Sequence, residues 1–134
     1  MARWLFKEEP EHYSFADLRR DRTTVWDGVT NTLAQKHLRQ VKAGDRVLFY
    51  HTGKEKAIVG EMRITRGPRP AEEGSKLVVV EVEAVRPLAR PVSLATIKDD
   101  PLLADWQLVR LPRLSVMPVS AEQWRRVVEL SEAE

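Results

Sequence analysis

Apolar positions along the chain fall into short blocks with two different periods. "RWLFK", Arg3 to Lys7, predicts a short strand closed by Pro10. "YSFADLRR" predicts a short helix, with Ser14 as N-cap and Asp17 three residues on. Ala34, Leu38 and Val41 keep the i, i+4, i+7 spacing of a second helix, capped by Asn31 and ended by Gly44. "RVLFYHT" is apolar on both faces, as a central strand is. "AIVGEMRIT" alternates and puts Ile58, Gly60, Met62 and Ile64 on one face; a glycine there signals a bulge or a close backbone approach. "KLVVVEVEAV" alternates too, with Val78, Val80, Val82 and Ala84 opposite Val79, Glu81 and Glu83. Between these two strands, "RGPRPAEEGS" reads as the least ordered loop, and "RPLARP" reads as a break after the second. Ser93 starts a short helix in "SLATIKDD". "LVRLPRLSVMPVS", with two prolines, reads as edge strand or extended chain. "SAEQWRRVVEL" is the clearest helix, with a Ser120–Gln123 capping box and Trp124, Val127 and Val128 on its buried face.

This order of elements predicts an α+β fold: a mixed, mainly antiparallel sheet that curls toward a barrel, with helices at its periphery. The 134 residues fit a single domain, 1–134. No apolar run approaches the ~20 residues that a membrane helix needs. The first residues turn acidic by Glu8, unlike a secretory leader, and a cytoplasmic location is the expectation. With no cysteine, thiolate metal sites and a cysteine nucleophile are excluded. His12, His37 and His51 lie far apart without metal-ligand spacing, and neither GxxxxGK[ST] nor GxGxxG nor GxSxG occurs. No metal and no cofactor are expected.

Charge changes the picture more than composition does. The net charge of +2 conceals a middle third, residues 35–69, with nine basic and three acidic side chains. Such clustering is the footprint of a polyanion partner, or it is a solvated surface with none.

The remaining chemistry lies in polar groups beside aromatics. In "VWDGVTN", Val25 to Asn31, Trp26 sits in a turn between hydrogen-bonding groups. It is either a core plug followed by turn chemistry or the wall of a site. A flat indole beside Asp27 and Asn31 suits a planar heterocycle. Stacking contributes ~1–3 kcal/mol per base, which is comparable to the few kcal/mol needed to extrude a base from a duplex. Asp27 and Asn31 can bond to a base edge, and Val29 and Thr30 can touch a methyl group. Net affinity must then come from phosphate contacts, for which Lys36, Lys54 and Lys56 are the candidates. Lys7 and Glu9 in "FKEEP" form either a surface ion pair or the floor of the pocket. Tyr50 and His51, ending the central strand, form its far wall or serve as satisfied structural groups.

Taken together, "WLFKEEPEHYSFADL", "WDGVTN", "LRQVKAGDRVLFYHT", "IVGEMRI" and "RPVSL…LVRLPRLSVMPVSAEQW" resemble the EVE domain family, a PUA-like group, in order from Trp4 to Trp124. The resemblance implies a PUA-like pseudo-barrel and a non-enzymatic reader of modified nucleobases, with modified cytosine in DNA the first expectation. Matched by position, its signature residues are Lys7, Glu9, Tyr13, Trp26, Asp27, Gly28, Val29, Asn31, Tyr50 and His51. Thr30 stands where the family usually has arginine and Thr32 where it usually has tyrosine. The segment between Thr65 and Val78 is short for the family. The competing expectations are an RNA-binding PUA-like module, a small hydrolase or nuclease using His51 with Asp27 or Glu9, and a module that binds protein or a small molecule through the same pocket.

Overall fold

The computed structural model describes residues 1–133. Six strands form one sheet in the order β2-β5-β4-β3-β1-β6. They are β1 (Arg3–Glu8), β2 (Thr23–Trp26), β3 (Arg46–His51), β4 (Ala57–Pro70), β5 (Val78–Ser93) and β6 (Val116–Pro118). The helices are α1 (Phe15–Asp21), α2 (Thr32–Leu38), α3 (Leu94–Asp99), α4 (Gln107–Arg110) and α5 (Ala121–Glu132). Among the described residues, only the β1–β3 pair is parallel; the other pairs are antiparallel. The mixed, mainly antiparallel sheet with peripheral helices is the architecture expected from the order of elements. Among the described residues, no helix is long and apolar enough to cross a membrane.

Three rings measure how far the sheet curls. In a flat sheet, the four strand spacings from β2 to β1 would separate them by roughly 19 Å. Trp26 on β2 nevertheless packs 5.5 Å from Phe6 on β1 and 5.3 Å from Phe49 on β3, centroid to centroid. The sheet therefore wraps round an aromatic core, and α2 packs against both β5 and β6 across the seam.

The caps formed as their residue types dictate. Ser14 and Ser120 each close a capping box, with Asp17 and with Gln123. Asn31 and Ser93 accept the third amides of α2 and α3. Gly60 combines both roles open to it. The β3–β4 register shifts beside it, and a Cβ there would lie 2.4 Å from the Phe15 ring. Asp45, in the "KAGD" turn, is a buried clamp: it accepts from the Trp4 indole at 2.9 Å, the Ala2 amide at 3.1 Å and the Lys42 amide at 2.9 Å.

Several expectations change. Trp26 does not sit in a turn; it ends β2, opposite Val80. The stretch Thr23–Trp26 is too short for alternation to declare itself, and its pairing with β5 makes it a strand. Helix α2 stops at Leu38, and Val41 is buried from the loop beyond it. The prolines of "RGPRP" lie within β4, and those of "RPLARP" within β5. β3 pairs with β4 only as far as Arg63, and β2 pairs with β5 only as far as Glu83. Each proline therefore occupies a stretch with one open side, where a missing N–H donor costs little.

Candidate functional site

The segment Trp26 to Asn31 links two separate concavities. Pairing of Trp26 with Val80 starts it. Gly28, at φ +77°, supplies a left-handed bend that side chains resist. Asn31 ends it by accepting the Ala34 amide through Oδ1 at 2.9 Å. The buried Gln35 holds the segment from behind. Its Nε2 donates to the Val29 carbonyl at 2.6 Å and the Val78 carbonyl at 3.1 Å, and its Oε1 accepts the Val78 amide at 3.0 Å. Val29 is buried, while Asp27 and Gly28 are exposed.

On one side is a cleft of about 170 Å³, lined by Glu8, His12, Tyr13, Thr24, Val25, Trp26 and Asp27. Trp26 is only 4% exposed: Phe6 and Phe49 pack against it, and what remains of its surface lines the cleft. Glu8 lies 3.3 Å from His12. The Tyr13 hydroxyl donates to Asp21 at 2.9 Å, and burial raises that phenol above its ordinary pKa. With Glu8 and Asp27 in its wall, the cleft repels phosphate.

On the other side is a groove of about 290 Å³, lined by Asn31, Leu33, Arg110, Leu111, Pro112, Arg113 and Leu114. Leu33 and Leu111 are 37% and 41% exposed. Among the described residues, no carboxylate lines the groove and neither arginine is in an ion pair. Lys7 reaches its back wall: Nζ donates to the Pro112 carbonyl at 3.0 Å and lies 5.4 Å from the centroid of the Tyr50 ring. Burial lowers the Lys7 pKa below the usual lysine value and pushes Tyr50 up to about 12.

The sequence-predicted residues thus divide between several places. Tyr13, Trp26 and Asp27 meet at the acidic cleft, and Lys7, Tyr50 and Asn31 gather at or behind the basic groove. Gly28 and Val29 form the link between them. Lys7 and Glu9 do not pair; Glu9 lines a third depression with Pro10, Glu11, Gly53, Lys54 and Glu55. Successive strand residues face opposite ways, so Tyr50 and His51 do not share a wall. His51 is buried, and both its ring nitrogens are engaged. Nε2 accepts the Phe15 amide at 3.0 Å, which leaves the proton on Nδ1, 2.7 Å from Glu55.

The basic middle third is partly neutralised. Arg63 pairs with Glu83, Arg66 and Arg69 with Glu81, and Arg46 with the buried Glu61, which also holds Arg86. Lys36 is exposed on α2, one turn beyond Leu33, whereas Lys54 and Lys56 lie on the β3–β4 turn near Glu55. Sequence reasoning missed Arg110, Arg113 and Gln35. The signal for the first two is present, as two arginines flanking Pro112 in a segment whose prolines point to edge strand or extended chain; its start instead belongs to α4, which ends at Arg110, and its later part supplies the edge strand β6.

The EVE domain pattern matches residues 2–130. Human thymocyte nuclear protein 1 is 31% identical over 169 aligned residues, which cover 99% of this chain and 75% of that protein. An NMR structure from Rhodopseudomonas palustris superposes with a TM-score of 0.93 at 38% identity, covering 98% of this chain and 93% of that one. The crystal structure of human THYN1 protein in complex with 5-methylcytosine-containing DNA has a TM-score of 0.93 at 30% identity, covering 100% of this chain and 99% of that one. With its sheet, caps and signature segments in that order, the chain belongs to the EVE domain family and has its PUA-like fold.

Proposed function

We propose that this chain binds nucleic acid and reads a modified nucleobase, modified cytosine in DNA before others, in the groove between Asn31 and Arg113. One observation carries the reading: an apolar groove edged by the Asn31 amide and the Arg110 and Arg113 guanidiniums, in a fold whose human relative was crystallised on 5-methylcytosine-containing DNA. Leu33, Leu111 and Leu114 offer apolar area to a flat ring. The Nδ2 group of Asn31 is free to bond a base edge, because its Oδ1 is held by Ala34. Lys7 and Tyr50 support the loop that forms the far wall. Lys36 extends positive charge along α2 for a phosphate. Lys54 and Lys56 would meet phosphate only on the hairpin side, where Glu9, Glu11 and Glu55 oppose them. Trp26, Asp27 and Tyr13 act in this reading through the linking segment, and Trp26 closes the core rather than stacking on a base.

The reading is of a binder that leaves its partner intact, supported by the engagement of both His51 nitrogens. The test is binding to oligonucleotides that differ at one cytosine, methylated or not, as DNA and RNA, single- and double-stranded, at two salt concentrations. The expected result is tighter binding of the modified strand, with affinity falling steeply as salt rises, by a log–log slope of about −0.9 per duplex phosphate contacted. Binding indifferent to the modification, or cleavage of the strand, overturns it.

A further inference from the structure

The groove is lined by cationic and amide side chains and, among the described residues, by no carboxylate. Asn31 presents its side-chain amide N–H groups, its orientation fixed by the bond that Oδ1 accepts from the Ala34 amide at 2.9 Å. Arg110 and Arg113 present guanidinium forks that no carboxylate occupies among the described residues. Behind the wall, Lys7 holds the Pro112 carbonyl with one N–H. The rest of the lining is Leu33, Leu111, Pro112 and Leu114. A ligand that satisfies this surface has a flat apolar body with acceptor atoms along its edge, and it gains most if that edge is negative.

We infer that the preferred ligand is a pyrimidine carrying an anionic, carboxyl-type substituent rather than a methyl group. This inference rests on the proposed reading and narrows its substrate class. A methyl group at the same ring carbon offers the groove only apolar contact. A carboxylate there is ionised at neutral pH and offers two coplanar oxygens, which a guanidinium meets with two parallel N–H···O bonds. Two such forks flank Pro112, and the groove holds no carboxylate to repel the substituent. The competing source of the same chemistry is a backbone phosphate beside the base, so the test must separate the two.

Oligonucleotides identical except at one cytosine (unsubstituted, 5-methyl, 5-carboxyl or abasic) would be titrated by fluorescence anisotropy against the intact chain and against Arg110→Gln, Arg113→Gln and the double variant. Thermal midpoints would verify that these exposed substitutions leave the fold in place. The expected result is at least tenfold tighter binding of the carboxyl than of the methyl strand, with that ratio collapsing toward one in the double variant. Arg113→Lys, which keeps the charge but loses the fork, would give an intermediate ratio. A carboxyl-to-methyl ratio of one or below in the intact chain overturns the inference while leaving base reading in place. Arginine variants that weaken all four strands equally, the abasic one included, place the guanidiniums on phosphate and overturn it as well. Failure of every strand to bind at low salt removes the proposed function and this inference with it.

Discussion

The Lys7 ammonium donates to the carbonyl of Pro112 at 3.0 Å, across 105 residues of sequence. This contact ties the first strand to the loop that carries Arg110 and Arg113, and the ladder continues beside it where the Lys7 amide bonds the Ser115 carbonyl at 2.9 Å. Lys7→Met keeps the apolar stem but removes the donor. Its expected cost is ~1–2 kcal/mol of stability, the range of a partly exposed hydrogen bond to a charged group, together with a larger relative loss of oligonucleotide affinity as the groove wall loosens. Chemical denaturation and anisotropy on the same variant measure the two effects; unchanged affinity would show that the strut has no bearing on binding.

Trp26→Ala should destabilise the protein by ~3–5 kcal/mol, as truncation of a buried aromatic does, because the ring fills space against Phe6 and Phe49. Trp26→Phe should recover most of that stability and most of the binding. Loss of binding in Trp26→Phe at an unchanged thermal midpoint would mean that the indole meets the base after all.

His51→Phe leaves the buried Phe15 amide without its acceptor. The expected loss is ~1–3 kcal/mol, the cost of an unsatisfied buried donor. Labelled DNA and RNA should come back uncut from both proteins. Cleavage by the intact chain that disappears in His51→Phe would make the imidazole catalytic.

Gly60→Ala forces a methyl group to within 2.4 Å of the Phe15 ring. Overpacking of this kind costs ~1–3 kcal/mol. Adding Phe15→Leu should return part of it, and a double-mutant cycle reads the coupling. Additive effects would show that the strand and helix α1 adjust independently.

Burial raises the Tyr50 pKa from 10.0 to about 12. The folded protein holds that proton more tightly than the unfolded chain, so the associated stability is present below about pH 10 and lost as pH rises through 12. Lys7 acts in the opposite sense: its lowered folded pKa makes folding more favourable as pH climbs toward the ordinary lysine value. Thermal midpoints of the intact chain should fall over pH 10 to 12, and Tyr50→Phe should flatten that fall. An equally steep fall in the variant would assign it to other groups.

Local chemistry was legible in the sequence, and long-range chemistry was not. The caps at Ser14, Asn31, Ser93 and Ser120, the central place of β3 and the tight approach at Gly60 follow from neighbours within a few residues. Trp26 is readable in the sequence as either plug or wall, and only long-range packing shows that it lies against Phe6 and Phe49 while also lining the cleft. The groove joins Asn31 and Leu33 to Arg110–Leu114, which no periodicity connects. Charge misled for the same reason. Arg63, Arg66 and Arg69 cluster in sequence, but the β4–β5 register sets them against Glu81 and Glu83. The family resemblance identified the segments that matter while leaving open which of their side chains face a common space.

The three hydrogen bonds of Gln35 fix the backbone of Val29 and the first residue of β5 in one unit. The segment bordering the groove is thereby stiff before any partner arrives, and association need not freeze it. An immobilised side chain typically costs ~0.5–1.5 kcal/mol on binding, and that penalty has been met during folding. Gln35→Ala should accordingly slow capture and weaken it through entropy, with the calorimetric enthalpy of association little altered.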